Sequence, residues 1–247
     1  MNIFDMYGIK EVADVAFYDI ESGAPVLFLD TLKVSTIEET SSNSAATGGK
    51  GNSPLVKWDY GKEMTLTLED ALFSMKSMAF MQGGTVRRKN EKIQRTERVI
   101  AIAGEGDTGV LPGDLPSGAT VIDEKGETVT TFVVGETYLV SWKEDVTNTE
   151  SITISADSFP GTYKVVGDTY ARNYKTGKDE FFQFVIPMAK VNFENTITMS
   201  ADGDPSTFSM TLTVLRPEDG DMLKFYKYPK SEAAEVTDDS IIIDFGR

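Results

Sequence analysis

The sequence predicts a mainly β protein, an antiparallel β-sandwich or half-barrel with one packed α-helix and a candidate β-rich insertion. Three patterns lead there. Phe208, Met210, Leu212 and Val214 alternate strictly with Thr207, Ser209, Thr211 and Thr213, the period of a strand with one face in a core and one in solvent. Residues 162–174 and 179–190 are β-rich runs on either side of Lys175-Thr176-Gly177-Lys178, the signal of a long hairpin. A single stretch, 68–81, repeats apolar residues at helical spacing.

Taken in chain order, residues 12–20 and 25–34 read as strands joined by Glu21-Ser22-Gly23-Ala24, with Val15, Phe17, Leu27 and Leu29 at period two. Residues 35–57 are polar and rich in Ser, Thr and Gly, so they read as a long loop. Alternation resumes with Trp58, Tyr60, Met64 and Leu66 on one face and Asp59, Glu63, Thr65 and Thr67 on the other. Thr67 is a candidate N-cap, because Glu69 and Asp70 after it suit a helix's first turn. The helix spans 68–81, directs Leu72 and Met75 into the core, and stops at Gly83-Gly84. The run 86–98 holds Arg87, Arg88, Lys89, Lys92, Arg95 and Arg98 against Glu91 and Glu97. It reads either as a solvated loop or as a contact for an acidic neighbouring subunit.

Residues 99–103 read as a buried strand, and 104–118, dense in Gly and Pro, as a boundary. A hairpin of 128–134 and 137–143 across Gly135-Glu136 follows, then a short strand at 151–155. The domain reading is a β core of 1–103 with 158–230, a β-rich insertion of 104–157, and an acidic C-terminal arm of 231–247.

The chain has 247 residues and neither Cys nor His. That length buries a core without metal or disulfide staples. The missing residue types exclude thiolate chemistry, imidazole bases and Ser-His-Asp triads. Asp and Glu outnumber Lys and Arg by 39 to 24, a formal charge of −15, which disfavours holding nucleic acid by its phosphates while leaving passage past DNA open. No apolar run approaches the roughly 20 residues of a membrane span, and Met1 to Tyr7 lacks signal-peptide character, so the reading is a soluble protein made in the cytosol.

Motif look-alikes fail on spacing. Gly48-Gly49-Lys50-Gly51-Asn52-Ser53 lacks the upstream Gly of a phosphate loop and has Gly51 where Ser or Thr must reach magnesium. Asp202-Gly203-Asp204 lacks the Glu of a calcium loop and reads as a turn. No carboxylate pair stands out for hydrolysis. The expectation is a non-enzyme with no catalytic, cofactor or metal residues.

The phrase Phe182-Gln183-Phe184-Val185-Ile186-Pro187-Met188-Ala189-Lys190-Val191, then Thr198-Met199 and Pro205 to Leu212, resembles the C-terminal half of tail tube (major tail) proteins of tailed bacteriophages. The N-terminal hairpin, long polar stretch and single helix are similar too. The resemblance implies a tail-tube-like fold, hexameric rings stacked around a channel for DNA, and a place in the virion tail after assembly in the host cytoplasm. It implies partners in further copies of itself, the terminator, the baseplate, the tape measure and, in a contractile tail, the sheath, with no membrane partner and no cofactor. Asp59 and Glu63 become candidates for an acidic channel wall, and the cluster from Arg87 to Arg98 a candidate contact between subunits. The alternatives are another β-rich virion component or a non-viral β-sandwich binding module.

Overall fold

A computed structural model describes residues 6–105, 108–192 and 207–228. Its elements are β1 (Tyr7–Ile9), β2 (Asp14–Asp19), β3 (Pro25–Leu29), β4 (Leu32–Gly48), β5 (Ser53–Asp70), α1 (Met75–Gln82), β6 (Thr85–Ile100), β7 (Ile102–Ala103), β8 (Gly109–Val110), β9 (Thr120–Ile122), β10 (Thr137–Thr153), β11 (Thr162–Asn173), β12 (Asp179–Val191), β13 (Phe208–Val214) and β14 (Lys224–Tyr228). The chain divides into two units, Met1–Thr85 with Ile154–Arg247, and Val86–Thr153. The fold is mainly β and antiparallel, with sheets that do not close into a barrel.

In the first unit the strands run β3-β2-β11-β12-β13-β5-β4, with β1 on β11 and β14 on β12. The β11–β12 hairpin falls where the sequence indicates. Asn173 shapes its turn by accepting hydrogen bonds from the backbone N–H of Lys175 (2.9 Å) and Thr176 (3.1 Å). Period-two apolar residues from both ends of the strand order, Val15 and Phe17 in β2 and Leu66 and Leu68 in β5, meet Val165, Ile186 and Leu212 in one cluster. The sheet therefore bends over its own core. At Gly167 a Cβ would collide with the Phe184 ring, so this glycine is what lets the ring lie flat on β11.

The helix is shorter and later than the expected 68–81. Leu68 belongs to β5, opposite Met210, because the alternation of Thr65, Leu66, Thr67 and Leu68 satisfies a strand that β13 pairs along its length. Ser74, not Thr67, is the N-cap. Its Oγ accepts from the Ser77 N–H (2.9 Å) while Ser77 Oγ accepts from the Ser74 N–H (2.8 Å). Leu72, expected in the core, is 63% exposed in the connection before α1. Buried Asp70 holds that connection by accepting from the Leu72 N–H (3.1 Å) and the Thr31 hydroxyl. Phe80 supplies the helix's packing, with its ring centroid 4.9 Å from Phe17 and 4.5 Å from Tyr163. Gly83 ends the helix at φ 64°, with the Phe159 backbone where a Cβ would stand.

The largest departure is the polar stretch 35–57, which is not a loop. β4 and β5 pair from Leu32↔Asp70 to Gly48↔Ser53, and only Gly49 to Asn52 turn between them. The phosphate-loop look-alike is thus a hairpin tip, with Gly49, Gly51 and Asn52 all at positive φ.

The second unit begins at Val86 and so takes in the basic run. It holds a β6-β10-β9 sheet, a β7–β8 pair and a small core of Ala101, Leu111, Val121, Tyr138 and Val140. The expected hairpin of 128–134 is absent. Thr128 makes an isolated bridge to Ile122 and Phe132 one to Gly109, while β10 runs on through residues 151–153. The expected buried strand 99–103 is broken, since Ala101 is buried and its neighbours Ile100 and Ile102 are more than half exposed. The phrase 198–205 and the acidic arm 231–247 lie outside the described residues.

Candidate assembly surface

The exposed features of this chain are two long ribbons. In β4–β5, the six residues of β5 from Met64 to Glu69 alternate between core and surface, and from residue 63 back to the tip every residue of β5 is exposed. In the second unit, nearly all of β6 and much of β10 beyond Ser141 is exposed or half-buried. A strand pair with so little core beneath it draws its local order from backbone pairing and cross-strand side chains.

Register decides which faces the ribbon residues share. Thr40 pairs with Glu63 but Ser42 with Tyr60, so β5 carries one extra residue there, at Gly61-Lys62, with Gly61 at φ 61°. This is a β-bulge with glycine in the left-handed region. It reverses the facing of β5 from Tyr60 to Val56, where a second register shift opposite Ala46 and Thr47 follows. Trp58 and Tyr60, expected beside Met64, instead share the face of Glu63 and are 55% and 60% exposed. Asp59, opposite Asn43, turns to the other face. Asp59 and Glu63 therefore do not lie on one face as the alternation predicts. Asp59 stands beside Lys57 (3.7 Å), and Lys62 pairs with Glu39 (2.9 Å).

The basic cluster lies along β6, and most of it is neutralised within the chain. Arg88 pairs with Glu150, Lys92 with Asp145 (3.6 Å) and Arg95 with Glu144 (2.7 Å), all on β10, while Lys89 pairs with Glu91 (3.0 Å). Lys89 and the Ser151 hydroxyl hold the Glu91 carboxyl below its usual value. Arg87 and Arg98 have no such partner among the described residues. The solvated-loop reading of this run gives way to a strand, three of whose six cations pair with β10. Water screens such exposed pairs, so the three that reach β10 fix the alignment of β6 on it more than they stabilise the fold.

A second exposed set lies on the outer face of β11, β12 and β14, where Tyr170, Phe181 and Tyr228 stack across strands at 5.0 and 5.2 Å between centroids. On the opposite face of the same strands Lys227 donates to the Tyr7 hydroxyl (2.6 Å) and pairs with Glu180 (3.0 Å), contacts that raise its pKa. One cleft of the first unit, about 550 Å³, lies among Lys10, Glu11, Asp14, Asp168, Arg172 and Asp179, and the Arg172–Asp179 pair spans part of its wall. Among the described residues no group of Asp and Glu converges as a metal site, and no helix is long and apolar enough to cross a membrane.

Extended ribbons and a bent antiparallel sheet suit a protein that polymerises, and comparison with known sequences gives the family. The YomU/Tube protein family model matches residues 7–226. The chain belongs to the YomU/Tube protein family. A tail tube protein of Bacillus phage SPR is 25% identical over 193 residues, covering 71% of this chain and 72% of that protein. The matched residues run across both units. Together these matches support a phage tail tube family and a structural role in the virion.

Sequence reasoning missed both ribbons and the bulge. Gly61 between Tyr60 and Lys62 is the one signal of the bulge, since glycine inside an alternating run marks a bulge or a close approach.

Proposed function

We propose that this chain is the tail tube subunit that closes into hexameric rings, and that stacked rings enclose the channel for DNA. The observation that carries the reading is the pair of exposed ribbons. Long strands with open edges invite uncontrolled pairing, and a closed ring of copies removes every such edge. The terminator, the baseplate and, where the tail contracts, the sheath would meet the finished tube at its ends and outside, and the tape measure would lie in the channel. Assembly would take place in the host cytoplasm.

The candidate wall is the polar outer face of β13, β5 and β4, which carries Glu38, Glu63 and Glu69 among Thr65, Thr67 and Thr211. Asp59 drops out of this face because of the bulge. A wall of carboxylates and hydroxyls repels phosphate and offers DNA no cation to grip. Electron microscopy of the purified protein, alone and with a tail initiation complex, tests the assembly. Tubes of uniform bore are expected, and a protein that stays monomeric in both conditions counts against the reading. Glu63→Lys tests the wall. Normal tubes with slowed genome ejection at low salt are expected, and unchanged ejection removes Glu63 from the channel.

A further inference from the structure

We infer that neighbouring copies join through two particular edges, the free edge of β4 on one copy and the free edge of β6 on the next. This rests on the ring reading above and names its contact. β4 ends the strand order of the first unit and β6 that of the second, so among the described residues each has one edge that no other strand covers. They match in length, at 17 and 16 residues. β10 also has an open edge, because β9 covers only Leu139 to Ser141.

Charge separates the choices. β4 carries Lys33 against Glu38 and Glu39, a net −1, whereas β6 carries its six cations against Glu91 and Glu97, a net +4. β10, with Lys143 against Glu144, Asp145 and Glu150, is at −2. Pairing β4 with β10 sets acid beside acid, and pairing β6 with β6 sets cation beside cation. β4 on β4 would give an isologous contact, which stops at a dimer. β6 on the next copy's β10 would also join opposite signs, but Glu144, Asp145 and Glu150 are already paired with β6 of their own chain. β4 on β6 brings opposite signs together and is heterologous, the kind of contact that closes a ring. Arg87 and Arg98, which β10 leaves without partners, are then available to acids of the neighbour's ribbon.

Because the chain has no cysteine, engineered cysteines report on this contact without background. Ser42→Cys in β4 is combined in turn with Arg87→Cys, Asn90→Cys, Gln94→Cys or Glu97→Cys along β6, and with Asn148→Cys in β10. Assembled tubes are oxidised and run without reductant. Only strands lying side by side bring Cα atoms within the roughly 4.4–6.8 Å that a disulfide needs. A ladder of covalent oligomers from at least one β4–β6 combination, and none with β10, is the expected result. Tubes that give no ladder from any β4–β6 combination, or a ladder with β10, overturn the edge assignment and leave the ring reading standing. A parent chain that forms no tubes overturns both. As a second measurement, Arg87→Glu with Arg98→Glu should raise the protein concentration needed for assembly about tenfold or more, with Glu38→Lys restoring part of it. No shift on reversal, in a variant with unchanged melting, counts against the pairing.

Discussion

Deleting Gly61 should convert a polymerising subunit into a folded one that assembles poorly. The residue supplies the extra position of the bulge, and without it Tyr60, Trp58 and Val56 rotate to the face of Met64. Trp58 and Tyr60 keep 55% and 60% of their surface exposed. A large aromatic side chain offers about 150–250 Å² to burial, so the two rings leave about 200 Å² open. At ~25 cal/mol/Å² a neighbour that covers all of it gains about 5 kcal/mol, and one that covers half gains about 2.5 kcal/mol, near a hundredfold in association. The isolated subunit should hardly notice, because the affected ribbon is exposed and surface changes usually stay within about 0.5–1 kcal/mol. Thermal melting and sedimentation of assembled tubes measure the two quantities on one sample. Gly61→Asn keeps a residue that tolerates positive φ and should assemble normally. A deletion variant that polymerises at the parent's concentration would show that the facing of Trp58 and Tyr60 is irrelevant to assembly, and the reasoning would fail there.

Further outcomes follow from the core and the second ribbon. Leu66→Ala, at a site with no exposed surface, should cost about 2–5 kcal/mol in chemical denaturation, and Leu72→Ala less than about 0.5 kcal/mol; similar costs would mean the helix boundary is misplaced. Gly167→Ala pushes a Cβ into the Phe184 ring and should destabilise by about 1–3 kcal/mol, with Phe184→Leu recovering part; an additive double mutant would place the ring elsewhere. Glu91 titrates below its usual 4.5 because of Lys89 and Ser151. Its stabilising contribution is therefore complete above the ordinary carboxylate range and is lost as pH falls through the depressed value. Amide exchange in β6 and β10 should quicken on going from about pH 6 to about pH 3, after correction for intrinsic rates, by more than in β11 and β12. Equal quickening in all four strands would deny the carboxylate pairs any role in holding the ribbon.

The elements legible in the sequence are those with one face on the core. β2, β3, β11 and β13 alternate because one face of each meets the common core, β12 does so on either side of a register shift between Ile186 and Ala189, and hydrophobic periodicity reports that burial. The family resemblance rests on the same strands, Phe182 to Val191 and Phe208 to Leu212. Residues 35–48 and 86–98 are strands of equal or greater length, yet they carry Ser, Thr, Glu and Arg on both faces, and no periodicity separates such a strand from a loop. Their backbone order comes from pairing with β5 and β10, which a one-dimensional pattern does not record.

The misplaced helix and the misread facing of Asp59 and Glu63 have related causes. At Leu68 and Leu72 a helical repeat and a strand repeat coincide, and the choice falls to β13, a partner 140 residues away in the chain that pairs Met210 with Leu68. At Asp59 and Glu63 the alternation is real on each side of Gly61 but reverses across it. A bulge therefore does what no substitution of charge could do in a single step: it presents Glu63 and the aromatic rings of Trp58 and Tyr60 together, and sends Asp59 and Lys57 to the opposite face. If the outer face of β4–β5 borders the channel at its base, the same face meets its neighbours through aromatic rings towards the tip. The position of Gly61 then sets where channel wall ends and subunit contact begins.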